Sequence, residues 1–259
     1  MRIAMGVEYD GTNYVGWQFQ ENGVSVQAVV EEAISQVADE PIRVVCAGRT
    51  DTGVHALGQV VHFDTNAERD ERSWVFGANT HLPKDVAIIW ARPVDDEFHA
   101  RFSAKLRRYR YVILNRPVRP TFLAYRVAWE YRPLDEVRMA EAAKYLLGEH
   151  DFSAYRAAGC QSKTPVRRIE TLDIERKQDV IIIDIVANAF LHHMVRNIAG
   201  VLMAIGAGEK PVDWSKEVLE TQDRTQAGIT APPHGLYLVD VDYSPDYELP
   251  RLLHTHMIW

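Results

Sequence analysis

Between Ile42 and Phe63 the chain passes from one β-branched stretch (Ile42, Val44, Val45) to another (Val60, Val61, Phe63) through a polar segment holding Gly48, Arg49, Thr50, Asp51, Gly53 and Gly58. Short apolar runs bounded by turn-forming residues read as strands, and glycine frees the backbone between them from Cβ clashes. The stretch therefore commits this part of the chain to a strand-loop-strand unit. Its loop presents one carboxylate, Asp51, two residues from one guanidinium, Arg49. A loop held by two strands is a common place for a reactive group, because the scaffold fixes its position.

The surrounding pattern predicts an order of elements. A strand over 3–9 leads into a Gly-rich loop through Gly16. Val26, Val29, Val30, Ile34 and Val37 recur at helical spacing, with Ser25 as N-cap, so 26–37 reads as a helix. Strands at 42–47 and 58–64, a short helix near 71–79 and a strand at 87–94 follow. The second half echoes this with a strand at 107–114, a helix at 136–148, and strands at 169–176 and 179–187. A long helix over 191–206, another near 215–222 and a strand at 236–243 complete it. Each half reads as an α+β unit of mostly antiparallel strands with helices on one face. The expected division is a lobe over 1–100 and a lobe over 101–259, sharing one continuous sheet, with a cleft where they meet. The last residues, Leu253–Trp259, carry no interpretable pattern.

With 259 residues and 47% apolar side chains, the chain can bury one large or two modest cores. No apolar run approaches the ~18 residues that span a bilayer. The first residues run straight into a strand-like pattern with no signal-peptide architecture. Cys46 and Cys160 lack CxxC spacing, which speaks against a disulfide framework or a Cys-based zinc site. A cytoplasmic protein is expected. Adjacent His192 and His193 point about 100° apart if both lie on a helix, a poor arrangement for one ion, and no HExxH or paired CxxC accompanies them. No metal site is expected.

A net charge of −7 argues mildly against a nucleic-acid partner, but the charges are not spread evenly. From Arg101 to Trp129 there are eight basic residues and no acid, interleaved with Phe102, Tyr109 and Tyr111. Residues 152–169 add Arg156, Lys163, Arg167 and Arg168, again without an acid. Focused basic patches govern phosphate affinity more than net charge does, and aromatic rings among cations suit RNA.

Five segments, in order, carry a resemblance across roughly residues 3 to 243. They are Tyr9–Gln18 (YDGTNYVGWQ), Gly48–Ala56 (GRTDTGVHA), Phe98–Ala104 with Arg107–Tyr111, Phe190–Asn197 (FLHHMVRN) and Ala231–Leu238 (APPHGLYL). Together they resemble the tRNA pseudouridine synthase A family. The resemblance implies the pseudouridine synthase fold, two α+β lobes around a basic cleft. It also implies isomerisation of uridine to pseudouridine at positions 38–40 of the anticodon stem-loop, without cofactor, by a homodimer acting on tRNA.

Read from the residues alone, Asp51 is either an Asx-turn residue or a cleft carboxylate; the resemblance makes it the catalytic residue. A carboxylate in a partly dry pocket tends to protonate, and a nearby cation opposes this. The resemblance gives that part to Arg196, which otherwise reads as a surface residue on the first turns of a helix. Tyr109 and Tyr111 share one strand face, and either could be plain core; the resemblance selects Tyr109 as the active-site tyrosine. It also implies that Leu236 packs against the target base, where an ordinary core role is the alternative. Arg49 resembles the residue that enters the gap left by the flipped nucleotide; pairing with Asp51 or another loop acid is the competing reading. A hydrolytic glycosidase would need a second carboxylate as acid, and Asp10 is the nearest motif-borne option.

Overall fold

The computed structural model describes residues 1–250, so the uninterpreted segment Leu253–Trp259 lies outside the described residues. The chain divides into two compact units. The first comprises Met1–Leu106 and takes in the chain again from Tyr237; the second is Arg107–Leu236. The expected lobes, 1–100 and 101–259, differ from these chiefly in where the final strand goes.

In the first unit, β1 (Arg2–Tyr9) lies between β4 (Val86–Val94) and β3 (His55–Asp64), antiparallel to both. β10 (Leu236–Asp242) adds to β3 in parallel, with Tyr237 opposite His55 and Leu238 opposite Ala56. The two-residue β2 (Val45–Cys46) pairs antiparallel with β3. Ile3 to Val7 are all buried, so β1 is covered on both faces, and its run is apolar rather than strictly alternating. Helix α1 (Val26–Ala38) packs on α2 (Glu71–His81), and α2 packs on β4. As expected, Ser25 caps α1: its hydroxyl accepts from the Ala28 N–H at 3.2 Å.

The second unit is built on an antiparallel run in the order β5 (Leu106–Asn115), β9 (Val180–Ala187), β8 (Val166–Lys177) and β7 (Gly148–Asp151). β6 (Ala128–Glu130) pairs with β5 in parallel. Helix α3 (Glu136–Ala143) packs on α4 (Met194–Gly206) and on β8, with α5 (Trp214–Thr221) against both helices. Ile113, Ile183, Ile185, Met139, Leu202 and Ile205 are fully or almost fully buried there. The architecture is α+β and mainly antiparallel.

Four expected elements have different limits, the first being the strand over 42–47, which is reduced to Val45–Cys46. The helix over 136–148 stops at Ala143, continues as a single 3-10 turn to Leu146, and gives way to β7. The helix over 191–206 starts at Met194, after His193 in the left-handed region (φ 60°). β3 begins at His55, so Gly58 sits within a strand and the polar loop closes earlier than its glycines suggest.

Candidate active site

The Asp51 loop joins β2 to β3 and is fastened along its length. Gln59, fully buried on β3, turns its side-chain amide to the backbone of Gly48; Nε2 donates to the Gly48 carbonyl at 2.5 Å and Oε1 accepts from its N–H at 3.3 Å. Thr50 is held by side chain and backbone: its Oγ1 lies 2.7 Å from the Tyr9 hydroxyl, and its carbonyl accepts from the Trp17 N–H at 3.0 Å. Thr52 donates its hydroxyl to the Val15 carbonyl at 2.9 Å. Asp51 itself, half-buried, opens a tight turn closed by Val54 N–H to Asp51 O at 3.1 Å, with Gly53 at φ 76°.

Why Gly16 stands in the 14–17 loop is now clear. At φ 108° it lies so close to the Asp51 loop that an added Cβ would fall 2.7 Å from the Thr50 carbonyl oxygen and 3.1 Å from the Asp51 carbonyl carbon. The Tyr9–Gln18 and Gly48–Ala56 segments are thus one physical clamp, in which Tyr9 and Trp17 hold Thr50, Val15 holds Thr52, and Gly16 lies against the backbone between them. Sequence reading assigned no such part to Tyr9 or Gly16. The signal was present only as two motifs in one chain, with nothing to say that they touch.

Asp10 does not suit an acid. Its carboxylate accepts from the Thr12 N–H (3.0 Å) and hydroxyl (2.5 Å), and Nδ1 of the buried His55 lies 3.2 Å away. The same Nδ1 is 3.0 Å from the Gly11 nitrogen, accepting there when bare and donating to Asp10 when protonated. Hydrogen bonding from His55, joined by Thr12, holds the Asp10 carboxyl well below the usual carboxylate range. A general acid for glycoside hydrolysis needs the opposite shift. Tyr237 stacks on the His55 ring with centroids 4.7 Å apart, which ties β10 to the start of β3.

In the second unit, Tyr109 and Tyr111 project from β5 with different fates. Tyr111 is fully buried, its hydroxyl donates to the Pro232 carbonyl at 2.8 Å, and burial pushes its pKa far up. Tyr109 retains 8% exposure and meets Phe190 edge-on at 4.9 Å. Both rings are buried, Tyr111 the more completely. Arg196 lies in the first turn of α4, half-buried, and its Nε donates to the Ala231 carbonyl at 2.9 Å, while the Ala231 N–H returns a bond to the Arg196 carbonyl at 3.1 Å. Arg196 therefore anchors the segment that leads through Pro232 and Pro233 to Leu236, which is buried at the start of β10. Within this unit Arg196, Ala231, Pro232 and Tyr111 form one connected group. Arg49, in the first unit, is exposed.

His192 and His193 are not on a helix, so the divergence expected of helical neighbours does not apply. They form the turn before α4, with rings 4.0 Å apart. The basic patches also change on folding. Asp184 on β9 takes Arg110 through two bonds (2.9 and 2.6 Å) and Arg108 through a third at 3.1 Å. Arg168 pairs with Glu170, and Arg167 is 8% exposed, bonded to neighbouring carbonyls and the Ser162 hydroxyl. The pairing with Asp184 and the burial of Arg167 are invisible in a count along the sequence.

The profile of the tRNA pseudouridine synthase family matches residues 5–103 and 142–244. The chain belongs to that family. It is 57% identical over 251 residues to a tRNA pseudouridine synthase A of Coxiella burnetii (strain RSA 331 / Henzerling II), covering 97% of this chain and 96% of the relative. The proteins of the same name from Nitrosococcus oceani and Pseudomonas aeruginosa are each 57% identical over 259 residues, covering 100% of this chain and 100% of the former, 99% of this chain and 91% of the latter. The synthase is accordingly an isomerase. No helix among the described residues is long and apolar enough to cross a membrane.

Proposed function

We propose that this synthase isomerises uridine to pseudouridine at positions 38–40 of the tRNA anticodon stem-loop, as a cytoplasmic homodimer, with Asp51 as its catalytic carboxylate. The observation that carries the assignment of Asp51 is the clamp around it: a half-buried carboxylate whose neighbours Thr50 and Thr52 are held by Tyr9 and Trp17 and by Val15. Fixing a reactive group in position lowers the entropic part of a barrier.

The reaction breaks the N1–C1′ bond, turns the uracil and joins C5 to C1′. The C5 hydrogen leaves as a proton and N1 regains one, so the product is an isomer and no cofactor takes part. The target base must first leave its stack, at a cost of a few kcal/mol. Asp51 then attacks C1′ or C6, or removes the C2′ proton. Tyr109 stacks on the flipped uracil, and its hydroxyl assists loss of the C5 proton. Arg196 keeps the catalytic carboxylate ionised, Leu236 packs against the base, and Arg49 fills the gap left in the RNA. These roles follow the resemblance.

The test is tritium release from tRNA carrying [5-³H]uridine, wild type against Asp51→Asn, followed by mapping of the modified positions. Release by wild type and none by the variant is expected. Release by both would remove Asp51 from the chemistry, and modification elsewhere than 38–40 would overturn the site choice. Sedimentation of the free enzyme checks the dimer.

A further inference from the structure

Residues 116–127 connect β5 to β6 in the second unit, and they carry a ring that the fold leaves bare. Phe122 is 94% exposed, and Val118, four residues before it, 69%. Folding alone gives no reason for a phenyl ring there, because apolar surface left in water contributes nothing to the core.

Yet the loop is braced. Arg116 folds back on it, Nε donating to the Val118 carbonyl at 2.9 Å, and the Trp129 indole N–H donates to the Arg116 carbonyl at 2.9 Å. Backbone bonds from Ala124 to Thr121 (3.1 Å) and from Arg126 to Leu123 (2.9 Å) close two successive turns, the first of which holds Phe122. Tyr125 is held at φ 64°, a region that a tyrosine occupies only where its surroundings impose it. Its ring meets His234 edge-on at 5.2 Å, two residues before Leu236. The bare ring therefore sits on a fixed turn that leans on the segment leading to Leu236.

The chemistry around it selects the partner. The loop holds Arg116, Arg119 and Arg126 and no acid, and Arg119 and Arg126 are exposed. A protein partner that buried Phe122 would have to accommodate the exposed arginines that flank it in the chain, Arg119 and Arg126. A polyanion with flat apolar faces meets both features at once. We infer that the Phe122 loop is a further RNA-contact element, in which Phe122 stacks on an unpaired or extruded nucleobase other than the reacting uridine, while Arg119 and Arg126 hold the flanking phosphates. The inference rests on the tRNA reading given above. Stacking of this kind tolerates any base, which suits a set of tRNAs that differ in sequence.

The experiment is equilibrium binding of unmodified tRNA, by fluorescence anisotropy over a range of salt, for wild type, Phe122→Ala, Phe122→Trp and Arg119→Ala. Loss of one stacked ring raises Kd about five- to 150-fold. Phe122→Ala should show this with an unchanged salt slope, and Phe122→Trp should restore binding to within about three-fold of wild type. Arg119→Ala should lower the magnitude of the salt slope by about one. Phe122→Ala binding within two-fold of wild type overturns the inference. So does a change in the sedimentation of the RNA-free protein on Phe122→Ala, which would make the ring a contact between copies. Binding requires no turnover. Failure of tritium release with an intact Phe122 effect therefore overturns the catalytic reading alone.

Discussion

Thr50 is attached through its hydroxyl to Tyr9 and through its carbonyl to Trp17, one residue before Asp51, the carboxylate proposed for catalysis. Tyr9→Phe removes a buried hydrogen bond and leaves Thr50 Oγ1 without that partner, a loss of about 1–2 kcal/mol of stability. Because the bond fixes the Asp51 loop, kcat should fall about ten-fold or more while the Kd for tRNA holds; unchanged kcat would leave Tyr9 a purely structural residue. A second residue-scale effect belongs to His62, 4% exposed on β3, whose Nδ1 accepts from the Ala100 N–H at 3.1 Å. Burial, with His99 and Arg2 adding repulsion, pushes its pKa down to about 4. The unfolded chain then binds a proton near pH 6.5 that the folded one refuses, so stability is intact above that pH and is lost as pH falls toward 4, by about 3 kcal/mol in all. Urea unfolding at pH 7 and pH 5, wild type against His62→Gln, should show a smaller drop in the variant. The tyrosines show where sequence reading stops at this scale. Alternation placed Tyr109 and Tyr111 on one face of β5, but the hydroxyl of Tyr111 is claimed by Pro232, 121 positions away, which no local pattern announces.

Elements were legible where one physical signal dominated. The spacing Val26–Val30–Ile34 and a serine before it specified α1 and its start; Ser25→Ala should lower stability by about 1 kcal/mol, measurable as a lowered Tm, and an unchanged Tm would mean that the buried hydroxyl contributes nothing there. Limits failed where two signals overlapped. The apolar spacing of α3 runs on past Ala143, but Gly148 at φ 92° and the pairing of Gly148–Asp151 with β8 turn the chain into an edge strand. Gly-Glu-His-Asp has poor intrinsic β-preference, and its neighbour supplies the ladder. The start of α4 shifted for a different reason. Leu191–His193 are polar and apolar in helical order, yet His193 adopts the left-handed conformation, and the helix waits for Met194. Asp51 and its loop were readable as strand-loop-strand; the clamp that fixes them was not, because it joins segments about forty residues apart.

At the scale of the molecule, a chain of net charge −7 is read as a binder of a polyanion. Repulsion averaged over the surface is screened within about 10 Å at 0.1 M salt, whereas direct cation–phosphate contacts release counterions. The affinity for tRNA should therefore weaken as salt rises, on a straight log–log line whose slope counts the phosphates engaged. Affinity independent of salt would contradict the part given to the remaining exposed cations, such as Arg119. The division of the chain also orders its making. β3, which follows the Asp51 loop, has β10 as its parallel neighbour, and that neighbour is synthesised some 180 residues later. At about 5–20 residues per second, the ribosome leaves the first unit waiting roughly ten to forty seconds for its last strand, while Arg107–Leu236 emerges whole in between. The unit begun first is thus the last completed. A nascent chain stalled before Tyr237 would carry the Asp51 hairpin with β2 already laid along β3, but with His55 and Ala56, the first residues after the loop, still lacking their strand neighbour on that side.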